Sequence, residues 1–394
     1  MTSAPRRIAV VTGSRADYGL LQGILARLQK MDDIDLQVIA CGMHLMPRFG
    51  ETWRAIEADG FPIAAKIDLG LDDDRAETVA RGTGIGITGF AEVLPRLTPD
   101  LVVVLGDRFE ILAAAVAATL LNIPLAHIHG GEVTEGAFDD AIRHAITKMA
   151  CVHFVAAESY RRRVIQMGEN PEFVFNVGAP GLDAATAAPA TSQPELFRAL
   201  GISGPERFLL ATLHPTTARP EADAATIEAL LGALAQIEDR TIVFTGVNAD
   251  PGYRIIDDAI RAFVAARPDR AHLFASLGSE RYWAALRLAD AVVGNSSSGI
   301  LEAPAVGTPS VNIGDRQLGR LRAPSIIDCP VDQAAILAAL QGILGGRFQP
   351  DMSNEPPYGR GGASEKIAGT LRKIDLKRAF PKHFHDLAVP LDQP

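Results

Sequence analysis

Two series of six short apolar runs, separated by longer helical patterns, constrain what this chain can fold into. The first series is Ile8–Thr12, Leu36–Ala40, Leu101–Leu105, Leu125–His129, Val152–Ala156 and Phe173–Val177. The second is Phe208–Thr212, Thr241–Thr245, His272–Phe274, Ala291–Val293, Ser310–Ile313 and Ser325–Ile327. Most are rich in Val, Ile, Leu or Phe, with no polar face to turn toward water. Such strands need cover on both sides, and parallel sheets flanked by helices provide it. The expected fold is α/β: two Rossmann-like doubly wound parallel-sheet domains facing a cleft, glycosyltransferase-B-like. Ala184–Gln193, dense in Ala, Thr and Pro, reads as the join, and Gly345–Gly362 as a second break. The expected domains are 1–183, 184–360, and a C-terminal helix and tail over 361–394 that packs back on the first. That last helix spans about Ser364 to Lys373. Gly82-Thr83-Gly84-Ile85-Gly86 reads as a flexible loop or a helix start near ligand.

Composition narrows the function. The 394 residues suffice for two ordinary domains, and 47% hydrophobic with 22% charged residues is a soluble globular balance. No apolar run reaches the roughly 18 residues of a membrane span. Thr2–Arg7 leads into an apolar run too short for a signal peptide, so the expected location is cytoplasmic. Cys41, Cys151 and Cys329 are isolated and no Cys-x-x-Cys occurs, which argues against a disulfide framework and a thiolate zinc site. The net charge of -9 argues against nucleic-acid binding. It permits an anionic ligand, because local arginines and helix N-termini bind phosphate within an acidic protein.

Titratable groups concentrate where strands end. His127-Ile128-His129-Gly130-Gly131-Glu132 is followed by Asp139-Asp140-Ala141-Ile142-Arg143-His144, and Gly106-Asp107-Arg108 ends the preceding strand. Carboxyl ends of neighbouring parallel strands face one crevice, so Asp107 and His129 can meet there. Asp107, His129, Glu132 and Asp139 are the acid–base candidates. Each has a bland alternative. Asp107 would cap the next helix, His129 would be a satisfied strand-end histidine, and Glu132 would orient the turn. Arg143 is a candidate substrate ligand, and in the bland reading Asp139 and Arg143 would form an ordinary i,i+4 surface pair. Asp140 and His144 share that spacing and read as supporting residues. His44, after the second strand, points to the same crevice or serves the structure. No metal site is expected from Asp107, His127 and His129.

The anion end lies in the second series. Val293-Gly294-Asn295-Ser296-Ser297-Ser298-Gly299 reads as strand, turn and helix start, offering backbone amides and three hydroxyls to a phosphate. The alternative is that Ser296, Ser297 and Ser298 merely cap the helix. Glu302, one turn further in, suits a ribose diol. Arg15, in Thr12-Gly13-Ser14-Arg15-Ala16-Asp17, and Arg316 suit diphosphate oxygens. Asp17 orients Arg15 or caps its helix. Neither a P-loop nor a G-x-G-x-x-G after a strand occurs, so no NAD is expected.

Together these motifs resemble the hydrolysing UDP-N-acetylglucosamine 2-epimerase family of bacterial sialic- and legionaminic-acid pathways. The resemblance rests on Thr12–Gly19, Gly106-Asp107-Arg108, His127–Glu132, Asp139–His144 and Leu213-His214-Pro215. Gly294–Glu302, Gly307-Thr308-Pro309 and Arg316-Gln317 complete it. It spans roughly residues 8 to 372. It implies a sugar nucleotide between two Rossmann-like domains, with UDP and a free N-acetylmannosamine as products and no cofactor. It makes Asp107 and Asp139 catalytic carboxylates and His214 a functional histidine. Arg15, Ser296, Ser297 and Arg316 become phosphate ligands and Glu302 the ribose ligand. His129 departs from the His-Ile-Glu-Gly-Gly of many members.

The implied chemistry is anti elimination of UDP and hydration of a 2-acetamidoglycal. The implied substrate is UDP-N-acetylglucosamine, with UDP-2,4-diacetamido-2,4,6-trideoxyglucose as the alternative. A homodimer or homotetramer is implied. A non-hydrolysing epimerase would show His-x-Glu-Ala-Gly-Leu-Arg at the central turn, which this chain lacks. A glycosyltransferase would need an acceptor, and a silent sugar-nucleotide sensor would show no turnover.

Overall fold

The computed structural model describes residues 4–47, 50–73, 75–133, 138–187, 189–215, 221–246, 253–351 and 353–387. The chain divides into two compact units, Met1–Asp183 with Gly362–Pro394, and Ala184–Gly361. The strands of the first unit are β1 Arg6–Thr12, β2 Ile34–Cys41, β3 Ile63–Ile67, β4 Leu101–Leu105, β5 Leu125–Ile128, β6 Val152–Val155 and β7 Val174–Asn176. Their order is β3-β2-β1-β4-β5-β6-β7, with parallel pairing throughout. The second unit holds β8 Phe208–Thr212, β9 Thr241–Thr245, β10 Ala271–Phe274, β11 Ala291–Gly294, β12 Ser310–Ile313 and β13 Ile326–Cys329. Their parallel order is β10-β9-β8-β11-β12-β13.

Both sheets are doubly wound. The winding reverses between β1 and β4 and between β8 and β11, and ligands of open α/β sheets bind outside the carboxyl ends at such points. Strand alternation explains the continuous apolar runs. Ile8 and Val10 of β1 join the core on one face, with Leu21, Leu25, Ile367 and Leu371. Ala9 and Val11 join the core on the other, with Phe90, Leu94, Ile111 and Ala114. Each large aliphatic side chain buried this way contributes about 1.5–3 kcal/mol.

Two expectations are corrected. β3 has no counterpart among the expected runs. It is an edge strand whose residues alternate between half-buried and exposed until Ile67, so its apolar signal is diluted. The Gly82–Gly86 stretch is neither a loop nor a helix start, but lies inside helix Ala76–Leu97. Its missing side chains leave room for Leu69, Leu71 and Ala113 against the helix surface.

The C-terminal segment is locked onto the first unit. Asp183 accepts the backbone amides of Ala363 and Ser364 at 2.8 and 2.7 Å. These start helix Ala363–Lys373. Further on, Lys382 Nζ donates to the Lys148 and Ala150 carbonyls and to Glu169 Oε2 at 2.6, 2.8 and 2.7 Å. Glu169 also pairs with Lys148 at 2.6 Å and His153 at 3.1 Å.

Candidate active site

In the first unit the acid–base candidates gather at the ends of β4 and β5. His129 leaves β5 with a φ of 67°. A residue with a β-carbon is held in that left-handed region at a cost of order 1–3 kcal/mol, a form of strain that clusters at functional sites. The turn brings His129 Nδ1 to 2.5 Å from Glu132 Oε1. With Nδ1–H assigned as the donor, Nε2 carries the lone pair. That second nitrogen is buried and has no hydrogen-bond partner. Burial disfavours a charged ring, but the Glu132 carboxylate, with Asp107 behind it, outweighs this and holds the pKa above the usual histidine value.

Asp107 follows the Gly106 turn and accepts a hydrogen bond from Arg143. Desolvation pushes its carboxyl upward, Arg143 opposes this, and Asp139 and Glu132 add to the rise; the net shift is upward. Arg143 is itself buried. It also donates to Asp140 Oδ1 at 3.2 Å and to the Glu132 carbonyl at 3.1 Å. The expected role of Arg143 as a substrate ligand is thereby revised. Its guanidinium organises Asp107, Asp140 and the Glu132 turn. The Asp139–Arg143 surface pair is also replaced, because Arg143 turns inward to Asp107. Asp139, half-buried in the first turn of helix Phe138–Met149, acts on Asp107 through its charge.

Two histidines of this region are structural. His44 spends both ring nitrogens on side-chain hydroxyls. It is buried, with Nε2 2.9 Å from Thr12 Oγ1 and Nδ1 2.8 Å from Thr52 Oγ1. Burial lowers its pKa to about 4. His127 lies 2.8 Å from the Gly106 carbonyl through Nε2 and 3.1 Å from Thr147 Oγ1 through Nδ1. Burial lowers its pKa to about 3. Both rings are neutral at pH 7 and brace the turns that carry the site.

At the end of β1, Arg15 is exposed at the first position of helix Arg15–Gln29. The helix cap is Ser14, whose side chain accepts from the Asp17 amide at 3.3 Å. Asp17 returns the cap, because its carboxyl bonds the Ser14 hydroxyl and accepts the backbone amides of Gly13 and Ser14. It is buried, one carboxyl oxygen lacks a partner, and desolvation raises its pKa against the pull of Arg108. Arg108, absent from the sequence candidates, donates to the fully buried Glu110 at 2.7 Å and to Met43 Sδ at 3.2 Å. Asp107 is not the cap of helix Phe109–Leu120; that position belongs to Arg108.

In the second unit, Gly294 at the end of β11 has a φ of 140°. A β-carbon there would overlap the Thr212 carbonyl oxygen, so the two central strands close tightly only with glycine. The His214 amide donates to Asn295 Oδ1 and Asn295 Nδ2 donates to the His214 carbonyl, both at 2.8 Å. Arg316 Nη1 reaches the Asn295 carbonyl at 3.3 Å.

Helix Ser298–Ala305 follows, with Ser297 at its cap position making no capping bond. Ser296 Oγ accepts from the Ser298 amide at 3.3 Å. The Ser298 hydroxyl is engaged elsewhere. It accepts from the Tyr282 hydroxyl and bonds to Glu302. Ser298 thus organises Glu302 rather than facing a phosphate. Burial raises the Glu302 carboxyl, with Ser298 and Arg320 opposing. Tyr282 and Asn295 carry no charge at neutral pH and are not among the acid–base or cationic candidates of the sequence. Among the described residues, no cluster of His, Cys, Asp and Glu has the arrangement of a metal site. No described helix is long and apolar enough to cross a membrane.

Residues 26–372 match the family described as UDP-N-acetylglucosamine 2-epimerase. The chain belongs to that family. Among relatives of this 2-epimerase-family chain, a Campylobacter jejuni protein named GDP/UDP-N,N'-diacetylbacillosamine 2-epimerase (hydrolyzing) is 38% identical. The match covers 83% of this chain and 85% of that protein. A Legionella pneumophila protein named UDP-N,N'-diacetylbacillosamine 2-epimerase (hydrolyzing) is 37% identical over 94% of this chain and 97% of its own length. The crystal structure of a Neisseria meningitidis UDP-GlcNAc 2-epimerase bound to UDP-GlcNAc superimposes with a TM-score of 0.76. It is 19% identical and covers 93% of this chain and all of that one. That likeness establishes the fold of the family, two Rossmann-like domains of the glycosyltransferase-B type.

Proposed function

We propose that this member of the 2-epimerase family is a hydrolysing UDP-sugar 2-epimerase that acts by elimination and hydration. The observation that carries the reading is the Glu132–His129 pair, with its buried, unpartnered Nε2 beside the Asp107–Arg143 pair. A histidine held by a carboxylate at one nitrogen and open at the other is equipped to take or give a proton. Inversion at carbon 2 requires that C–H bond to break. A base removes the proton while the C1–O bond to UDP opens, leaving a 2-acetamidoglycal. A proton then returns to carbon 2 from the opposite face and water oxygen bonds to carbon 1. The products are the free manno-configured sugar and UDP.

His129, Asp107 and Asp139 share the proton transfers. Burial raises the Asp107 carboxyl and the Glu132 carboxylate raises the His129 ring, so each holds a proton more readily than its free side chain. His214 serves the leaving diphosphate or the incoming water. Arg15, Arg316 and the Ser296–Ser297 turn hold the diphosphate by aiming fixed donors at developing charge. Glu302 takes the ribose diol. The route moves no hydride and needs no nicotinamide.

For the sugar, the names of the two relatives at 37–38% identity favour UDP-2,4-diacetamido-2,4,6-trideoxyglucose, which is UDP-N,N'-diacetylbacillosamine. UDP-N-acetylglucosamine is the second reading, favoured by the ligand of the fold neighbour. A proton NMR time course in deuterium oxide, without NAD and with both sugars in parallel, tests the proposal. Free manno sugar with deuterium at carbon 2 supports it, and the faster sugar identifies the substrate. A UDP-linked manno product, or no turnover of either, refutes it.

A further inference from the structure

The β8–β11 ladder ends where Thr212 faces Gly294, and the Asn295 amide adds a last backbone bond to the Thr212 carbonyl at 3.2 Å. Beyond it the chain of β8 runs into Leu213-His214-Pro215. Pro215 has no N–H, so its own amide cannot prolong the ladder. A side chain continues the ladder. Asn295 Oδ1 accepts from the His214 amide, and Asn295 Nδ2 donates to the His214 carbonyl. A carboxamide offers the same donor and acceptor as a peptide group, so it stands in for one more strand residue. The main chain of Asn295 does something separate. Its carbonyl accepts from Arg316 Nη1 at 3.3 Å and from Gln317 Nε2 at 2.9 Å. Asn295 is 2% exposed, so none of these bonds competes freely with water.

We infer that Asn295 is a positioning residue with two separable arms. Its side chain fixes His214 for the reaction, and its main chain fixes Arg316 for the anionic ligand. The inference rests on the roles proposed above for His214 and Arg316. The arms separate under mutation because only one of them is a side chain. Aspartate is no substitute, since its second oxygen would face the His214 carbonyl oxygen with no proton between them.

The test compares Asn295→Ala, Asn295→Asp, His214→Ala and the double variant Asn295→Ala/His214→Ala. It reads kcat on the better UDP-sugar and the Kd of UDP by calorimetry. Asn295→Ala is expected to lower kcat on the order of 10²-fold, the effect of a group displaced by about an ångström. UDP affinity stays within about threefold, because the carbonyl arm remains. The double variant falls within about threefold of His214→Ala, since both changes remove one contribution. Parallel losses of kcat and UDP affinity, or multiplying losses in the double variant, overturn the inference in favour of a merely structural role. An impaired His214→Ala beside a fully active Asn295→Ala overturns it while leaving the proposed reaction intact. A fully active His214→Ala overturns the role of His214 and the inference with it. Should Asn295→Ala not fold, Asn295→Asp, which retains the bond from the His214 amide, gives the same two readouts.

Discussion

Mild acid is expected to cost the first unit stability through two buried neutral rings, His44 and His127. Both rings titrate near 6.5 in an unfolded chain, but near 4 and 3 in the fold. Between those values the unfolded chain binds more protons, so stability falls as pH drops below 6.5. At pH 5 an unfolded histidine is almost wholly protonated while either buried ring stays almost wholly neutral. The linkage relation converts that difference to about 2 kcal/mol per histidine. Glu169 does not contribute in this range. The hydrogen bonds and charges of His153, Lys148 and Lys382 overcome its desolvation and hold it at about 2, so its stabilisation is lost only as pH falls below 4.5. His129 runs the other way, because its raised pKa gives stability that is complete below 6.5 and lost as pH rises through the folded value. It is present in every variant below and cancels.

The sequence contains two tryptophans, Trp53 and Trp283, one in each unit. Trp283→Phe leaves Trp53, packed on the first unit's core, as its sole indole reporter. Urea unfolding of this background is compared at pH 7.5 and pH 5, with and without His44→Gln or His127→Gln. Each substitution should shrink the acid-induced loss by about 2 kcal/mol, or roughly 1 M in the urea midpoint. An acid-induced loss that is the same in all three proteins refutes the reasoning.

Further outcomes follow from the same geometry. Glu132→Gln removes the charge that holds the His129 pKa up. The limb of the kcat/KM profile assigned to His129 should move to lower pH, with kcat down by about 10²–10⁴-fold; an unmoved limb disproves the pairing. Arg143→Ala strands the carboxylates of Asp107 and Asp140, and breaking a buried pair of this kind costs about 3–5 kcal/mol. Loss of activity without a lowered urea midpoint would contradict that. Gly294→Ala forces a β-carbon onto the Thr212 carbonyl at a φ of 140° and should cost more than about 4 kcal/mol. Trp283 emission read during urea unfolding measures it, and a wild-type transition would disprove the close approach.

The fold was legible because burial on two faces leaves a mark that survives in one dimension. Ile8 and Val10 need one layer of helices, Ala9 and Val11 need the other, and no polar residue interrupts them. β3 was illegible for the converse reason, since an edge strand satisfies only part of that demand. The site was legible in position and less so in role. His127 and His129 are the same residue type two places apart, at one strand end. His127 still belongs to β5 and spends both nitrogens on the Gly106 carbonyl and Thr147. His129 lies one residue beyond the strand, and its φ of 67° swings the ring to Glu132 instead. No pattern rule assigns a left-handed backbone to histidine before glycine, so the difference between a brace and a proton carrier was not readable. The serines behave alike. Ser296 and Ser298 are equivalent in a strand–turn–helix reading, but Tyr282 takes up Ser298 from another helix and turns it toward Glu302. Local chemistry selects which residues can act. Partners distant in sequence decide which of them do.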